Sequence, residues 1–247
     1  MPRSARLKSE SGIYHVMLRG IDKRNIFLKP GDYEKFIESM IKAKEKVKFF
    51  VYAYCLMTNH VHILIKRDTE DIGDTVRRIA VSYAQYHNNM YGRTGHLFQN
   101  RFLSEVVDNG QYFLTVIRYI HQNPLKAGII KDINDYKWSS YNEYINDNEF
   151  IVDSEFALSY FKSIEEFINY HNETNEDVCL DYDEKKRWTD EELKKFILTY
   201  QNISCLQALD KKTRDTIIKK IKEDTGASNR QLARVLNIGR GILDTIK

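Results

Sequence analysis

In His60-Val61-His62-Ile63-Leu64-Ile65 an extended chain alternates its side chains, so His60 and His62 project together while Val61, Ile63 and Ile65 point to the opposite side. Two imidazoles on one rigid strand form half of a metal site, because imidazole nitrogen is the commonest side-chain metal ligand. The same pair also fits two surface histidines with no ligand. If helices bury the apolar face, the histidine face stays open to a ligand. In the stretch 111–123, Phe113, Val116, Ile117 and Ile120 recur at helical spacing, and Tyr119 and Asn123 stand one turn apart at the border of that stripe. A phenol and an amide oxygen then share one helix surface. A free tyrosine has a pKa of about 10, so its oxygen attacks poorly at neutral pH unless a metal or base assists. A boundary tyrosine and an ordinary Asn before Pro124 would give the same pattern.

The elements that must position these groups are legible in order. Residues 13–19 read as a strand with Tyr14, Val16 and Leu18 on one face and His15 and Met17 on the other, and a basic turn follows over 20–24. A helix is predicted from Asp32 to about Lys48, strands over 49–56 and 60–66 joined by a short turn, and a helix over 72–90. A strand over 102–107 precedes the helix 111–123, expected to stop at Pro124. This order predicts an α+β fold, an antiparallel sheet with helices packed on one face, followed by a small all-α unit.

Composition sets the outer bounds. The 247 residues are 42% hydrophobic and 30% charged with 11 Gly and 3 Pro, which suits a globular chain of one generous domain or a domain with an appendage. No window reaches the 18 or so apolar residues of a membrane span, and the basic N-terminus leads into no apolar stretch, so a cytoplasmic protein is expected. Cys55, Cys179 and Cys205 are far apart and form no C-x-x-C pair; all three are expected to be packing residues. Residues 1–128 carry a net charge of +8, 129–190 carry −10 and 191–247 carry +5. Two basic blocks around an acidic one suggest two units that contact a polyanion and a segment that avoids it, although solvated faces alone would also produce such runs.

Three ordered runs resemble the single-tyrosine HUH transposases, in particular the REP-associated tyrosine transposases: His60-Val61-His62 after Tyr54-Cys55-Leu56-Met57-Thr58-Asn59, then Gly95-His96-Leu97-Phe98-Gln99-Asn100-Arg101-Phe102, then Tyr119-Ile120-His121-Gln122-Asn123-Pro124-Leu125-Lys126-Ala127-Gly128. The resemblance covers roughly residues 8–145 and implies a ferredoxin-like or RRM-like sheet. It further implies His60 and His62 as metal ligands, Asn123 as a third, oxygen ligand, and Tyr119 as the nucleophile that attacks a DNA phosphodiester. Some relatives carry Gln in place of Asn123. Mixed nitrogen and oxygen ligation suits Mg²⁺ or Mn²⁺. The implied products are a 5′-phosphotyrosine and a free 3′-hydroxyl, and since one phosphoester replaces another, rejoining needs no ATP. No G-x-x-x-x-G-K-[ST] loop is present.

Arg93, Arg101 and Lys126, interleaved with Phe98 and Phe102, follow the pattern of arginine and lysine on phosphates with aromatic platforms for unstacked bases of single-stranded or hairpin DNA. Repeat-flanked DNA and a homodimer are compatible with the chain. The catalytic domain is expected over 1–150, an acidic connector with helical pieces over 151–190 and a second DNA-binding domain over 191–247. In the last, the capping box Ser228-Asn229-Arg230-Gln231, a turn at 237–239 and a helix from Arg240 fit a helix-turn-helix with Arg240 heading its recognition helix, as they also fit a generic three-helix bundle. The alternative to a strand transferase is a non-catalytic repressor or architectural DNA binder that keeps the fold.

Overall fold

The structure, a computed structural model, describes residues 7–146, 150–181, 188–200, 206 and 209–246. The chain divides into two compact units, Met1–Asp181 and Tyr182–Lys247.

The first unit is built on four strands, β1 (Ile13–Arg19), β2 (Phe49–Met57), β3 (His60–Arg67) and β4 (Leu103–Val106). They pair antiparallel in the order β2-β3-β1-β4. β2 and β3 are joined by the two-residue turn Thr58-Asn59, with Met57 opposite His60. Across β1 and β3, Met17 pairs with His62 and Arg19 with His60. One face therefore carries His15, Met17, Arg19, His60, His62 and Leu64, and the other Val16, Leu18, Val61, Ile63 and Ile65.

Helices α1 (Pro30–Lys46) and α2 (Ile72–Met90) pack against each other on the second face. Their anchor is an aromatic cluster of Phe27, Phe36 and Tyr83, whose hydroxyl donates to the Ile26 carbonyl at 2.6 Å. Helix α3 (Gly110–Lys126) crosses the first face. The expected antiparallel sheet with packed helices is thus present, and its histidine face is covered where an open face was expected. The reason lies in the strands, which bury apolar groups on both sides: Met17, Cys55 and Leu64 flank the histidines and are all but inaccessible.

Helix α3 starts where the Asn109 side chain accepts from the Tyr112 amide at 2.7 Å. It does not stop at Pro124. The proline removes one amide donor, but the turn closes beyond it through the Ala127 amide on the Asn123 carbonyl at 2.9 Å.

The acidic stretch folds onto this core. Helices α4 (Tyr141–Ile145), α5 (Ser154–Leu158) and α6 (Ile164–Asn172) bring Tyr141, Tyr144 and Phe167 around the buried His121. Residues 173–181 then run along α3, where Arg118 pairs with Glu173 and Asp177, each at 2.9 Å. Cys55 and Cys179 are buried free thiols; Cys205 lies outside the described residues.

In the second unit, helices Asp190–Tyr200, Lys211–Thr225, Asn229–Leu236 and Arg240–Thr245 enclose Leu193, Ile197, Ile218, Ile221, Leu232, Leu236 and Leu243. Ser228 caps its helix by accepting from the Gln231 amide at 3.2 Å. Gln231 does not close the box; its side chain donates to the Trp188 carbonyl at 2.6 Å. The turn before Arg240 contains Asn237 at φ +53°, a left-handed conformation that Asn tolerates better than most residues.

Candidate active site

Strand β3 supplies His60, half-buried beside the turn, and His62, fully buried. Their ring centroids lie 5.1 Å apart. His60 Nδ1 sits 2.6 Å from Asn59 Oδ1, and His62 Nδ1 sits 2.9 Å from His15 Nε2. His62 Nε2 is buried without a hydrogen-bond partner. Burial holds His62 well below the ordinary imidazole value, with the neighbouring His15 and His60 acting in the same direction, and takes His15 down to about 3. Burial also lowers His60, opposed by the Asp181 carboxylate and a hydrogen bond with Asn123 and aided by the Arg19 cation. All three rings are neutral at neutral pH, the form that binds a metal.

Helix α3 supplies Tyr119 and Asn123 from the turn that faces this strand. The Tyr119 ring lies edge-on to His62 at 5.7 Å and to His15 at 6.0 Å. Asn123 is near enough to both groups that its amide acts on the His60 imidazole and on the Tyr119 phenol. The Tyr119 hydroxyl also donates to Asp181 Oδ2 at 3.4 Å. Burial raises the Tyr119 phenol above its ordinary value, and the Asp181 carboxylate adds to the rise. Lys126 Nζ stands 5.4 Å from the Tyr119 ring centre and donates to Asn175 Oδ1 and to the Asp177 carbonyl.

The structure therefore brings His60, His62, Tyr119, Asn123 and Lys126 together. Arg101 is elsewhere. It lines a groove of about 480 Å³ between α2 and the 95–102 loop, with Leu18, Arg77, Val81, Phe98 and Phe102, on the sheet face opposite His62. Arg93 follows the end of α2, where its charge acts on His87. Arg240 belongs to the second unit, with Asp244 3.6 Å away.

Three neighbours of the site were not singled out from the sequence. His15 carried a signal, since strand alternation sets it on the face away from Val16 and only the β1–β3 register was missing. Asn59 was read as a turn residue. Asp181 lies in the stretch expected to be a connector, and nothing in its surroundings marks it.

Comparison with known proteins bears on the same region. Residues 8–123 match the family described as Transposase IS200 like, a match that begins before β1 and ends on Asn123. The match covers a little under half of the chain. The IS200-like segment contains all four of His60, His62, Tyr119 and Asn123. The chain is also similar to a protein of Haemophilus influenzae provisionally named REP-associated tyrosine transposase, at 23% identity over 54% of this chain and 82% of the relative. Among solved structures, it resembles that of a REP-associated tyrosine transposase bound to a REP hairpin, with a TM-score of 0.53 and 20% identity over 61% of this chain and 88% of the other, a likeness of fold.

Proposed function

We propose that the chain is a metal-dependent DNA strand transferase acting on single-stranded or hairpin DNA, with Tyr119 as the covalent nucleophile. The observation that carries this reading is the approach of the Tyr119 ring, edge-on at 5.7 Å, to His62, whose Nε2 is buried without a hydrogen-bond partner. A phenol held against two neutral imidazoles suits attack at phosphorus better than it suits core packing, where no hydroxyl would be needed.

The donor set fits a divalent ion. His62 offers a buried nitrogen without a partner, His60 a second imidazole and Asn123 an amide oxygen. Among the described residues no group of three His, Cys, Asp or Glu could hold a metal, so the amide, water or phosphate must complete the shell. Such a set suits Mg²⁺ or Mn²⁺. Once bound, the ion would polarise a phosphate oxygen and stabilise the charge that develops on it.

The chain's own residues do the rest. Asn123 orients the Tyr119 hydroxyl, which gives up its proton as its oxygen bonds to phosphorus; the phosphorus to O3′ bond breaks, and the 3′ oxygen leaves as a hydroxyl once protonated. The product is a 5′-phosphotyrosine, and the reverse reaction reseals a strand without ATP. Lys126, beside the Tyr119 ring, is placed to contact a phosphate. In the second unit, the three-residue turn 237–239 between two helices supports a helix-turn-helix that binds flanking duplex, headed by Arg240.

A non-catalytic DNA binder is the second reading, favoured by the raised Tyr119 phenol facing a carboxylate. Incubation of the full chain with a hairpin oligonucleotide and Mg²⁺ or Mn²⁺ separates the two. A denaturant-stable protein–DNA adduct, lost in Tyr119→Phe, is expected of the transferase; binding without adduct is expected of the alternative.

A further inference from the structure

We propose that Asn59 and His15 are positioning residues, each accepting the Nδ1 proton of one site histidine so that His60 and His62 both present an unprotonated Nε2 to the same cation. This rests on the metal-dependent reading above.

For His60 the geometry determines the proton. The Asn59 side-chain amide nitrogen donates to the Lys23 carbonyl at 3.3 Å, which assigns the nitrogen end of that amide. Its oxygen end therefore faces His60, at 2.6 Å from Nδ1. An amide oxygen only accepts, so the proton between them belongs to His60 Nδ1. A neutral imidazole carries one such proton, which leaves Nε2 as the lone-pair nitrogen. The backbone keeps this arrangement in place: the Gly20 amide donates to the Asn59 carbonyl at 2.8 Å, and the Ile26 amide to the Thr58 carbonyl at 2.8 Å. Gly20 is needed for that approach, because a Cβ there would meet the Arg24 carbonyl oxygen at 2.1 Å. The loop holds itself in an unusual conformation to do this, with Asp22 and Lys23 both left-handed at φ +50° and +60°.

For His62 the partner is His15, on the same sheet face and two residues along β1 from Met17, which pairs with His62. Two tautomer arrangements satisfy the 2.9 Å contact between His15 Nε2 and His62 Nδ1. If His15 donates, His62 must carry its proton on Nε2, a buried donor with no acceptor. If His62 donates, the orphan donor becomes His15 Nδ1, likewise buried with no acceptor, and His62 Nε2 is a buried lone pair, which a cation satisfies. Each arrangement of the protein alone strands one N–H, and the cation breaks the tie. Metal binding therefore selects the second, and His15 is the acceptor it requires. Both rings are fully buried, so neither can turn to water for another partner. Such outer contacts typically contribute 10–100-fold to metal affinity.

The test is equilibrium binding of Mn²⁺ alone to the full-length protein, by calorimetry without DNA, so that no catalytic step enters. Asn59→Ala and His15→Phe are expected to weaken binding about 10–100-fold. Asn59→Asp and His15→Gln, which keep an accepting oxygen, are expected to recover most of it. Wild-type affinity in both Asn59→Ala and His15→Phe overturns the proposal, as does failure of both accepting variants to recover. Should His15→Phe not fold, the Asn59 variants decide alone, since that side chain lies in a half-exposed turn. A wild-type protein that binds no Mn²⁺ overturns the metal reading itself, an outcome distinct from unchanged affinity in the variants.

Discussion

The Tyr119 hydroxyl donates to the carboxylate of Asp181 at 3.4 Å, joining the sixty-second residue beyond it in the chain to the centre of the site. The contact reaches so far because residues 173–181 lie along α3, held by Arg118 on Glu173 and Asp177 and by Gln122 on the carbonyls of His171 and Glu173. An anion at this distance disfavours a second negative charge on the phenol. Asp181→Asn is therefore expected to lower the Tyr119 pKa toward that of an ordinary tyrosine. Site-resolved NMR titration, with the resonance assigned from Tyr119→Phe, reads it out; an unmoved titration would show that burial alone sets the value.

The His121 and His171 rings, 3.0 Å apart, are neutral and buried, and give the fold a predicted weakness to acid. Desolvation lowers both, His171 to about 3. The unfolded chain takes up protons at these positions near pH 6.5 and the native chain does not, so stability is flat above that value and falls below it. Each histidine contributes a loss of up to about 1.4 kcal/mol per pH unit below the unfolded pKa. Urea unfolding at pH 7.5 and 5.5 measures the loss. Replacing His121 with Asn is expected to cost stability at pH 7.5 and to make the acid loss smaller; an equal loss in the variant would place the titration elsewhere.

The described first unit also predicts where the chain can be cut. A fragment ending at Asp181 keeps the Arg118 pairs and the His121–His171 contact, and one ending at 150 loses both. Without the arm Arg118 loses both carboxylates, and the apolar surface that Phe167 and His171 cover around His121 opens to water. The longer fragment is expected to melt cooperatively and the shorter one to unfold or aggregate. Equal melting of the two would mean that the arm adds nothing.

Loss of the second unit is expected to weaken binding to long duplex while sparing cleavage of a short single-stranded oligonucleotide. Arg240→Ala in the full chain should lower the salt slope of long-duplex binding by about one unit if it contacts one phosphate. An unchanged slope would assign that unit another task, such as self-association.

The pattern of apolar residues made much of the first unit legible. Helix α2 runs from Ile72 to Met90 as its periodicity indicates, and β3 begins at His60 as alternation requires. Alternation also set His60 and His62 on one face, and helical spacing set Tyr119 and Asn123 one turn apart; that the two pairs meet depends on α3 crossing the histidine face, which spacing within an element does not encode. The same limit hid His15, whose role follows only from the register of β1 on β3. In the acidic stretch the expected helical pieces are present, but their docking is not legible, because it depends on Arg118 of α3 drawing Glu173 and Asp177 onto it across more than fifty residues of chain. Pro124 reads as a stop because its missing donor is local and visible in the sequence, while the bond that closes the next turn is not.

In the proposed reaction the Tyr119 oxygen becomes bonded to DNA. The most direct measurement is proteolysis and mass spectrometry of the adduct formed on a hairpin oligonucleotide with Mg²⁺ or Mn²⁺, which identifies the modified residue among the 16 tyrosines. A nucleotide 5′-phosphate is expected on the peptide containing Tyr119, absent in EDTA and absent from Tyr119→Phe. A phosphorylated nucleotide on Tyr83, Tyr86 or Tyr112 instead, or an undiminished adduct in Tyr119→Phe, would contradict it.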